Sequence, residues 1–244
     1  MIDRPPAASP AWAYFLDFDG TLVDIAATPD GVTVTAALKH CLQRLHAAAD
    51  GALALVSGRS LATIDALMAP ARLPVAGLHG AEQRLRPEGE TLRVVEDRPL
   101  PTAAAAALEA LATAHPGLVI EHKGLSTAVH FRRAPQAEAA CLAAAGAAVA
   151  EDPEHWRLLR GKMVIEIKPT QVHKGDVVRR WMETAPFAGR LPVFVGDDVT
   201  DEDGFHACRA LGGLAVRVGA PPEGLDSAAT HGLEDPCDVL DWLS

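Results

Sequence analysis

The stretch WAYFLDFDGTL, residues 12–22, decides the fold of this chain. Five apolar residues, 12–16, predict a short buried β-strand. Asp17 and Asp19 follow directly, and because they lie two apart at the strand end, their side chains point the same way. Gly20 and Thr21 fit a tight turn after them. An apolar strand that ends in a polar, glycine-containing turn is typical of the ligand-binding edge of a parallel sheet.

The same pattern recurs three times further along the chain. Apolar runs at residues 52–56, 75–78 and 191–195 end in the turns SGR, HGAE and GDDVTDED. Helical patterns lie between the runs, for example at residues 35–49, where leucines fall on one face. Strands that alternate with helices predict an α/β fold with a Rossmann-like parallel sheet covered by helices on both faces. We therefore expect the four turns to meet at one edge of that sheet.

The middle of the chain follows a different pattern. An alanine-rich helix is predicted at residues 102–114 and a second at 136–150, and two strand-like runs follow each of them. This repeated helix–strand–strand order predicts a small antiparallel sheet backed by two helices, an α+β cap domain inserted into the α/β core. We predict a core domain formed by residues 1–98 and 170–244, and a cap domain formed by residues 99–169.

The composition argues against several classes of function. The chain has 244 residues, with 32 acidic residues against 22 Lys and Arg, and a net charge of -10. Such a chain repels polyanions, and it has no basic cluster that would follow a nucleic-acid backbone. The phosphate-loop motif G-x-x-x-x-G-K-S/T is absent from the sequence, which disfavours a P-loop nucleotide enzyme. We expect no nucleic-acid partner.

The apolar runs and the cysteines predict the cellular location of the protein. No apolar stretch is long enough to cross a bilayer, and the first residues lack the basic and apolar regions of a signal peptide. Cys41, Cys141, Cys208 and Cys237 form no C-x-x-C pair and lie in alanine-rich or amphipathic stretches. We predict no membrane partner, reduced buried thiols and a cytoplasmic location.

The paired aspartates after the first strand are candidates for catalysis. One carboxylate of such a pair can attack as a nucleophile, while the other protonates the leaving oxygen and later activates water. The backbone N–H groups of Gly20 and Thr21 could face an anion. The alternative is that Asp17, Asp19 and Gly20 simply favour a turn.

A second acidic cluster follows the strand predicted at residues 191–195. Asp197, Asp198 and Asp201 would repel the other carboxylates at the sheet edge unless a cation lay between them. Hard oxygen ligands of this kind suit Mg²⁺. The alternative is a capped helix N-terminus, since acidic residues are favoured in a first turn, with Thr200 and Asp203 as a capping box.

Ser57 and Lys174 add a hydroxyl and a cation. Ser57 follows a strand and precedes a helix predicted to begin near Arg59, so its hydroxyl could bind a phosphate oxygen, or it could be the helix N-cap. Lys174 begins another predicted helix, an unfavourable place for a cation unless it neutralises an anion. A solvated surface lysine is the alternative.

Together these segments resemble the haloacid dehalogenase-type (HAD) phosphatases. DFDGTL, VSGR, HKGD and GDDVTDED match that family's four motifs in the same order. Carried over by position, the resemblance implies that Asp17 is the nucleophile and Asp19 the general acid and base. Ser57 and Lys174 would hold the phosphoryl group. The resemblance also implies an HAD-like core.

The same resemblance implies Mg²⁺ as the cofactor. The ion would lie on Asp17, on the backbone carbonyl of Asp19 and on Asp197. Asp198 or Asp201 would support it through hydrogen bonds. These five aspartates are therefore the candidate metal-site residues, and the sequence leaves open which of Asp198 and Asp201 touches the metal.

Charged residues alternate with apolar residues along three predicted cap strands. Period-2 patterning buries the apolar face against the helices and leaves a charged face. That face is either a solvated surface or a sugar-binding surface, because charged groups form strong hydrogen bonds with hydroxyls. The charged residues are Glu121 with Lys123, His130 with Arg132, and Glu166 with Lys168.

Further motifs are similar to the trehalose-6-phosphate phosphatase family over nearly the whole chain. They are GLHGAE, the run E-x-K-G-x-S-x-A-x-H-x-R that begins at residue 121, VIEIKP followed by KGD, and GDDVTDEDGF. The resemblance implies hydrolysis of trehalose 6-phosphate by a monomer that is functionally paired with a trehalose-6-phosphate synthase. The substrate-binding residues that it implies are Gly20, Arg59, His79 and Gly80 in the core, and Glu121, Lys123, Arg132, Glu166 and Lys168 in the cap.

Two alternatives stay open. The first is a phosphatase for another sugar phosphate, such as sucrose 6-phosphate or mannosyl-3-phosphoglycerate. Glu121 and Glu166 favour a neutral polyol over a substrate with an extra carboxylate. The second alternative is a non-catalytic relative that binds a sugar phosphate as a regulatory module, in which loss of Asp17 or Asp19 would be expected. Both aspartates are intact.

Overall fold

The computed structural model describes residues 3–26, 28, 31–96, 98–161 and 163–244. Its backbone divides into two compact units. The first unit comprises Met1–Val94 and His173–Ser244, and the second comprises Val95–Val172. Each unit has its own sheet and its own hydrophobic core.

Twelve strands and seven α-helices are present among the described residues. The strands are β1 (Trp12–Leu16), β2 (Leu53–Val56), β3 (Val75–Gly77), β4 (Glu82–Arg84), β5 (Leu92–Arg93), β6 (Val119–His122), β7 (Thr127–His130), β8 (Trp156–Gly161), β9 (Val164–Pro169), β10 (Leu191–Gly196), β11 (Leu214–Val218) and β12 (His231–Leu233). The helices are α1 (Ala36–Ala48), α2 (Leu61–Met68), α3 (Thr102–Ala114), α4 (Glu138–Glu151), α5 (Lys174–Trp181), α6 (Glu202–Ala210) and α7 (Pro236–Leu243).

The sheet of the first unit has eight strands in the order β12-β11-β10-β1-β2-β3-β4-β5. The strands from β12 to β3 are parallel, and β4 and β5 add an antiparallel edge. Strand β1 is central, because Leu16 pairs with Val195 on one side and with Leu55 on the other. The predicted α/β fold with a largely parallel sheet is confirmed. The turns after β1, β2 and β10 therefore begin side by side.

Both faces of this sheet are buried, which is why its strands are almost continuously apolar. Tyr14 and Leu16 point into a cluster that includes residues of α1, α2 and α7. Ala13 and Phe15 point into the opposite cluster, with residues of α5 and α6. Phe194 on β10 packs edge-on against Phe205 of α6, with ring centroids 5.8 Å apart. The two layers of helices fix the strand ends on which the site is built.

The second unit contains a four-stranded antiparallel sheet in the order β6-β7-β9-β8. The inward side chains of Val129, Ile165 and Ile167 share a buried cluster with Leu108 of α3 and Cys141 of α4. Helices α3 and α4 begin within two residues of their predicted positions. The predicted α+β character of this segment is confirmed.

One local prediction is wrong and one helix start is shifted. Helix α2 begins at Leu61, two residues after Arg59, because the hydroxyl of Ser60 accepts a hydrogen bond from the backbone N–H of Thr63 and caps the helix. Cys237 is exposed, whereas the other three thiols are buried. Cys237 lies in the first turn of α7, away from the side formed by Val239, Trp242 and Leu243 that packs into the core. None of the helices in the described part of the chain has the length and apolar character needed to span a bilayer.

Candidate active site

The turns after β1 and β10 lie next to each other at one edge of the sheet. The backbone N–H of Asp17 donates to the carbonyl of Val195 at 2.9 Å, so the parallel ladder continues to the first aspartate. The turn after β2 is tied to the next strand in the same way, since the N–H of Ser57 donates to Ala76 at 2.9 Å. Three segments that are distant in sequence thus form one edge.

Lys174 lies at the start of α5 and reaches into this edge. Its Nζ atom lies 2.6 Å from Oδ1 of Asp17 and 2.6 Å from Oδ1 of Asp201. The side chain is only 3 % exposed, so the surface-lysine alternative is wrong. Burial by itself would lower the pKa of Lys174, but the two carboxylates outweigh it and hold that pKa above its ordinary value. Lys174 is therefore a buried cation fixed between two acids.

The carboxylates of Asp17, Asp197 and Asp201 form a close group, the acidic group, and the turn after β10 that carries Asp197 is the acidic turn. Each offers an oxygen that lies within 4.8 Å of the oxygens of the other two. Burial, followed by the charge of Asp201, raises the pKa of Asp17 well above its ordinary value, against the opposing effect of Lys174. Burial, together with the charges of Asp201 and Asp198, raises the pKa of Asp197 to about 7. Negative charge is in excess here, which is the condition that favours a bound cation.

The turn that carries Asp197 is organised by Asp201. Oδ2 of Asp201 accepts hydrogen bonds from the backbone N–H groups of Asp197 and Asp198, each at 3.0 Å. Oδ1 of Asp198 accepts from the N–H of Val199 at 2.8 Å, and Asp198 and Asp201 form a capping box. The expected box of Thr200 and Asp203 is wrong, because the turn begins two residues earlier. The structure thus brings Asp201 to Lys174 and directs Asp198 to the backbone.

Thr21 and Gly20 hold the other side of Asp197. The hydroxyl of Thr21 donates to Oδ1 of Asp197 at 3.2 Å. Gly20 has φ +87°, and a Cβ atom there would lie 2.2 Å from Oδ2 of Asp197. A side chain at residue 20 would therefore displace Asp197 as well as strain the backbone. The glycine permits the two acidic turns to pack against each other.

Ser57 and Arg59 lie in the turn after β2. Oγ of Ser57 accepts from the N–H of Arg59 at 3.1 Å, and Ser57 is buried. Because Ser60 is the N-cap of α2, the alternative that Ser57 caps this helix is wrong. The guanidinium of Arg59 donates from Nε and Nη2 to the two oxygens of Asp19, both at 2.7 Å. This two-point contact sets the direction of the Asp19 carboxylate.

His79 and Gly80 follow β3 and support the same turn. His79 has φ 57°, and its N–H donates to the carbonyl of Ser57 at 2.8 Å. Its ring lies so close to Gly58 that a Cβ atom on that glycine would be 2.9 Å from the ring. Gly80 packs against Val177, where a Cβ atom would be 2.6 Å from a methyl carbon. Both residues contact groups that shape the predicted phosphate-binding edge.

In the second unit, the structure brings Glu121, Lys123 and Glu166 together. Nζ of Lys123 lies 3.9 Å from a carboxylate oxygen of Glu121 and 3.7 Å from one of Glu166. His130 bonds to Glu121 at 2.8 Å, and Ser126 donates to Glu166 at 2.7 Å. Burial would raise the pKa of Glu121, but the hydrogen bond with His130 and the charge of Lys123 lower it overall. This group of five is called the mixed-charge cluster below.

The remaining predicted cap residues lie near the ends of strands. Lys168 is buried on β9, and its Nζ donates to the carbonyl of Val172. Arg132 is half-buried and lies two residues beyond β7. Because Glu166 and Lys168 are both buried, the interpretation of this face as a fully solvated surface is wrong for β9.

The core geometry agrees with comparison to known proteins. Residues 15–232 match the model of the trehalose-phosphatase family. The chain belongs to the trehalose-phosphatase family. It is 41 % identical over 242 residues to the trehalose-6-phosphate phosphatase of Escherichia coli strain K12. The matched region covers 99 % of this chain and 89 % of that protein. A probable trehalose-phosphate phosphatase of Sinorhizobium fredii is 43 % identical over 210 residues, 86 % of this chain and 78 % of the relative.

A solved relative supports the fold of this trehalose-phosphatase. The C-terminal domain of the trehalose-6-phosphate phosphatase of C. albicans superposes with a TM-score of 0.82 at 22 % identity, over 94 % of this chain and 89 % of that one. At this identity the likeness concerns the fold alone. The core expected from the resemblance of the four motifs has the same fold as this solved phosphatase domain.

Some contacts of the site were not predicted from the sequence. Ser126 lies inside the motif that begins at residue 121, so its position was a usable signal. His130 was placed on the charged face, but its bond to Glu121 was not predicted. Thr21 lies in the first motif, yet its bond to Asp197 depends on the packing of two distant turns. Arg217 is a charged residue within the apolar run LAVRV of β11, an anomaly that the sequence displays without explaining.

Proposed function

We propose that this trehalose-phosphatase hydrolyses trehalose 6-phosphate to trehalose and inorganic phosphate through an aspartyl-phosphate on Asp17. The observation that carries this proposal is the buried Lys174, which contacts Asp17 and Asp201 beside Asp197. A buried lysine at this edge can hold a phosphoryl oxygen, and a cation bound by the carboxylates would offset their excess negative charge. The names of the relatives at 41 % and 43 % identity support the choice of sugar phosphate.

Mg²⁺ is the cofactor that we propose for the acidic group. The residues fit this ion, because Asp17, Asp197 and Asp201 offer hard carboxylate oxygens within 4.8 Å of one another and Lys174 offsets part of their charge. Asp17, Asp197 and the backbone carbonyl of Asp19 would hold the ion, with Asp201 fixing the turn. When bound, Mg²⁺ would offset negative charge on the phosphoryl oxygens.

The first chemical step that we propose is attack of the Asp17 carboxylate on the phosphorus atom. A bond forms between this oxygen and phosphorus while the bond from phosphorus to the sugar oxygen breaks. Asp19 gives a proton to the leaving sugar oxygen. Because Arg59 contacts both Asp19 oxygens in this structure, one of these contacts must open for that oxygen to carry the proton. Lys174 and the hydroxyl of Ser57 hold the phosphoryl oxygens, and Arg59 sets the direction of Asp19.

The second step that we propose is hydrolysis of the aspartyl-phosphate. Asp19, now a carboxylate, takes a proton from water as the water oxygen attacks phosphorus. The bond to Asp17 breaks, inorganic phosphate leaves, and Asp19 again carries a proton. Both carboxylates thus return to their starting states, which accounts for the need for two aspartates two residues apart.

The mixed-charge cluster is our candidate for recognition of the sugar. Glu121 and Glu166 supply acceptors and Lys123 supplies donors, a combination suited to the hydroxyls of a neutral disaccharide. We extend the proposal to Arg132 and Lys168 from the resemblance of the motif alone. A substrate that carries a second acidic group would be disfavoured by the two carboxylates.

The cysteines bear on the cellular setting that we propose. Free buried thiols at Cys41, Cys141 and Cys208 suit a reducing compartment such as the cytoplasm. A monomeric state and functional pairing with a trehalose-6-phosphate synthase stay predictions from the resemblance. The regulatory alternative is disfavoured because Asp17 and Asp19 are both present and lie at the same sheet edge as Lys174.

Release of phosphate from a panel of esters tests the proposed function. The purified chain would be assayed on trehalose 6-phosphate, sucrose 6-phosphate, mannosyl-3-phosphoglycerate and p-nitrophenyl phosphate, each with Mg²⁺ and with EDTA. We expect the highest kcat/KM for trehalose 6-phosphate and no release in EDTA. A preference for another sugar phosphate would change the substrate and keep the chemistry. No release from any ester with Mg²⁺ would support the regulatory alternative.

A further inference from the structure

Arg217 is a buried arginine that contacts the backbone of the acidic turn. It lies on β11, beside β10, and its side chain is 1 % exposed. Its Nη2 donates to the backbone carbonyl of Asp197 at 2.5 Å. The guanidinium therefore holds the peptide group of the residue whose carboxylate faces Asp17.

Glu202, the first residue of α6, holds the guanidinium in turn. Its Oε1 accepts from Nη1 of Arg217 at 2.9 Å and from the hydroxyl of Ser227 at 2.6 Å. Its Oε2 accepts from the N–H of Ala228 at 2.7 Å. Glu202 thus joins Arg217 to a segment beyond β11, and the buried charge is paired and oriented rather than isolated.

The contact between Arg217 and the Asp197 carbonyl matters because the acidic turn holds Asp197 close to other carboxylates that repel it. A carboxylate oxygen of Asp197 lies within 4.8 Å of carboxylate oxygens of Asp17 and Asp201, so like charges are held close together. A turn free to relax would move Asp197 away from Asp17 whenever no cation is present. Arg217 restrains the main chain of Asp197, whereas Thr21 restrains its side chain.

We propose that Arg217, oriented by Glu202, is a positioning residue that sets the affinity of the acidic group for its divalent cation. The inference rests on the Mg²⁺ site of the proposed function. Arg217 acts through Asp197, because a ligand group that is already held in place loses less conformational freedom when the ion binds. Glu202 contributes a second effect, since its negative charge balances a guanidinium that would otherwise oppose a nearby cation.

The alternative explanation is that Arg217 and Glu202 form a buried ion pair that only stabilises the fold. Arg84 provides a matched control in the same unit. It is also 1 % exposed, donates to both oxygens of Asp65 at 2.6 and 2.7 Å, and donates to the carbonyl of Leu73. Among the described residues, Nε has no hydrogen-bond partner in either arginine. Arg84 differs from Arg217 in that Asp65 and Leu73, to which it donates, lie outside the group formed by Asp17, Asp197 and Asp201.

The test measures binding of Mg²⁺ alone, without substrate. Wild type, Arg217→Met, Arg217→Lys, Glu202→Gln and Arg84→Met would be freed of metal, and Mg²⁺ would be titrated by calorimetry and by the rise in melting temperature. We expect Arg217→Met to weaken Mg²⁺ binding about tenfold or more, with a smaller loss in Glu202→Gln. Arg84→Met should lower the melting temperature in EDTA while its Kd for Mg²⁺ stays within about twofold of wild type.

Each outcome decides the inference. Equal Kd values for Mg²⁺ in wild type and Arg217→Met would overturn it and leave a purely structural ion pair. If Arg217→Met does not fold, Arg217→Lys decides, because lysine lacks the planar fork that bonds Glu202 and the Asp197 carbonyl together. Unchanged binding in that variant overturns the inference too. Absence of binding by wild type would remove the metal site itself, whereas binding without phosphatase activity would refute only the proposed reaction.

Discussion

The lysines of the two charged clusters lie at different distances from their carboxylate neighbours. In the first unit, Nζ of Lys174 lies 2.6 Å from both Asp17 and Asp201, and the lysine is 3 % exposed. In the second unit, Nζ of Lys123 lies 3.9 Å from Glu121 and 3.7 Å from Glu166, and the lysine is 11 % exposed. The first spacing is that of charge-assisted hydrogen bonds, and the second exceeds hydrogen-bond length.

This difference suggests a division of labour. In the proposed reaction, the tight, buried ion pairs of Lys174 would fix charges where a phosphoryl group develops charge, and such charges would act on any phosphate ester. A cluster that holds both donors and acceptors suits hydroxyl groups, which both donate and accept hydrogen bonds. Changes in the first cluster should therefore affect all substrates, and changes in the mixed-charge cluster should affect sugar phosphates alone.

The largest effect is expected from Asp17→Asn. The amide is nearly the same size as the carboxylate but is not a nucleophile, so turnover of trehalose 6-phosphate and of p-nitrophenyl phosphate should both fall on the order of 10⁴-fold or more. Phosphate release measures the loss, and circular dichroism checks that the fold is kept. Activity close to wild type would remove Asp17 as the nucleophile.

A smaller loss is expected from Lys174→Met. The variant removes a buried cation from between Asp17 and Asp201, so turnover of both substrates should fall about 10²- to 10³-fold. Stability should also fall, by about 3–5 kcal/mol, because two buried carboxylates lose their partner. Lys39→Met is the matched control, since Lys39 lies on the surface of the same unit with its Nζ 2.8 Å from the carbonyl of Ala69. If Lys174→Met lowered only the turnover of trehalose 6-phosphate, the proposed separation of roles between the two clusters would be wrong.

The sheet edge of the first unit was predictable because each strand that forms it has a strong, separate signal. Strands β1, β2 and β10 are apolar runs that end in polar turns, and parallel pairing then brings Asp17 and Asp197 together without further information. The α/β fold followed from the alternation of these runs with helices. The roles of the site residues stay predictions that await the variants described here.

Caps and buried contacts were not predictable in the same way. Ser57 and Ser60 are equally good caps by residue type, and the choice depends on backbone angles that the sequence does not display. The same is true of the box formed by Asp198 and Asp201 rather than Thr200 and Asp203. The contact between Arg217 and the Asp197 carbonyl requires the three-dimensional register of β10 and β11.

The mixed-charge cluster should show a selective effect. Glu166→Ala removes an acceptor that Ser126 holds at 2.7 Å, so kcat/KM for trehalose 6-phosphate should fall about 10- to 100-fold. The value for p-nitrophenyl phosphate should stay within about twofold, because this ester has no sugar hydroxyls. Glu138→Ala, which removes a carboxylate that pairs with Arg160 on the surface of the same unit, is the control. Equal losses on both esters would argue against a sugar-binding role.

The smallest effect is a dependence on pH that belongs to the first cluster alone. The pKa of Asp197 is raised from 3.8 to about 7, so in the folded protein this carboxyl keeps its proton up to near neutrality. A proton on Asp197 competes with the cation, and the Mg²⁺ concentration that gives half-maximal activity should rise up to about tenfold per pH unit as the pH falls below 7. Activity on both esters should respond alike, since the competition precedes the choice of substrate.

The raised pKa of Asp197 also predicts how the stability of the metal-free protein changes with pH, and this can be measured without substrate. The folded state binds the Asp197 proton more tightly than the unfolded state, so this group destabilises the metal-free protein progressively as the pH rises from about 4 to about 7. Mg²⁺ should reverse that loss at pH 8 and should have little effect at pH 5, because the ion binds the charged carboxylate. Melting temperatures in EDTA and in Mg²⁺ at the two pH values measure both effects. In Asp197→Asn the dependence of the Mg²⁺ effect on pH should be largely lost, and its persistence would assign the titration to another carboxyl of the group.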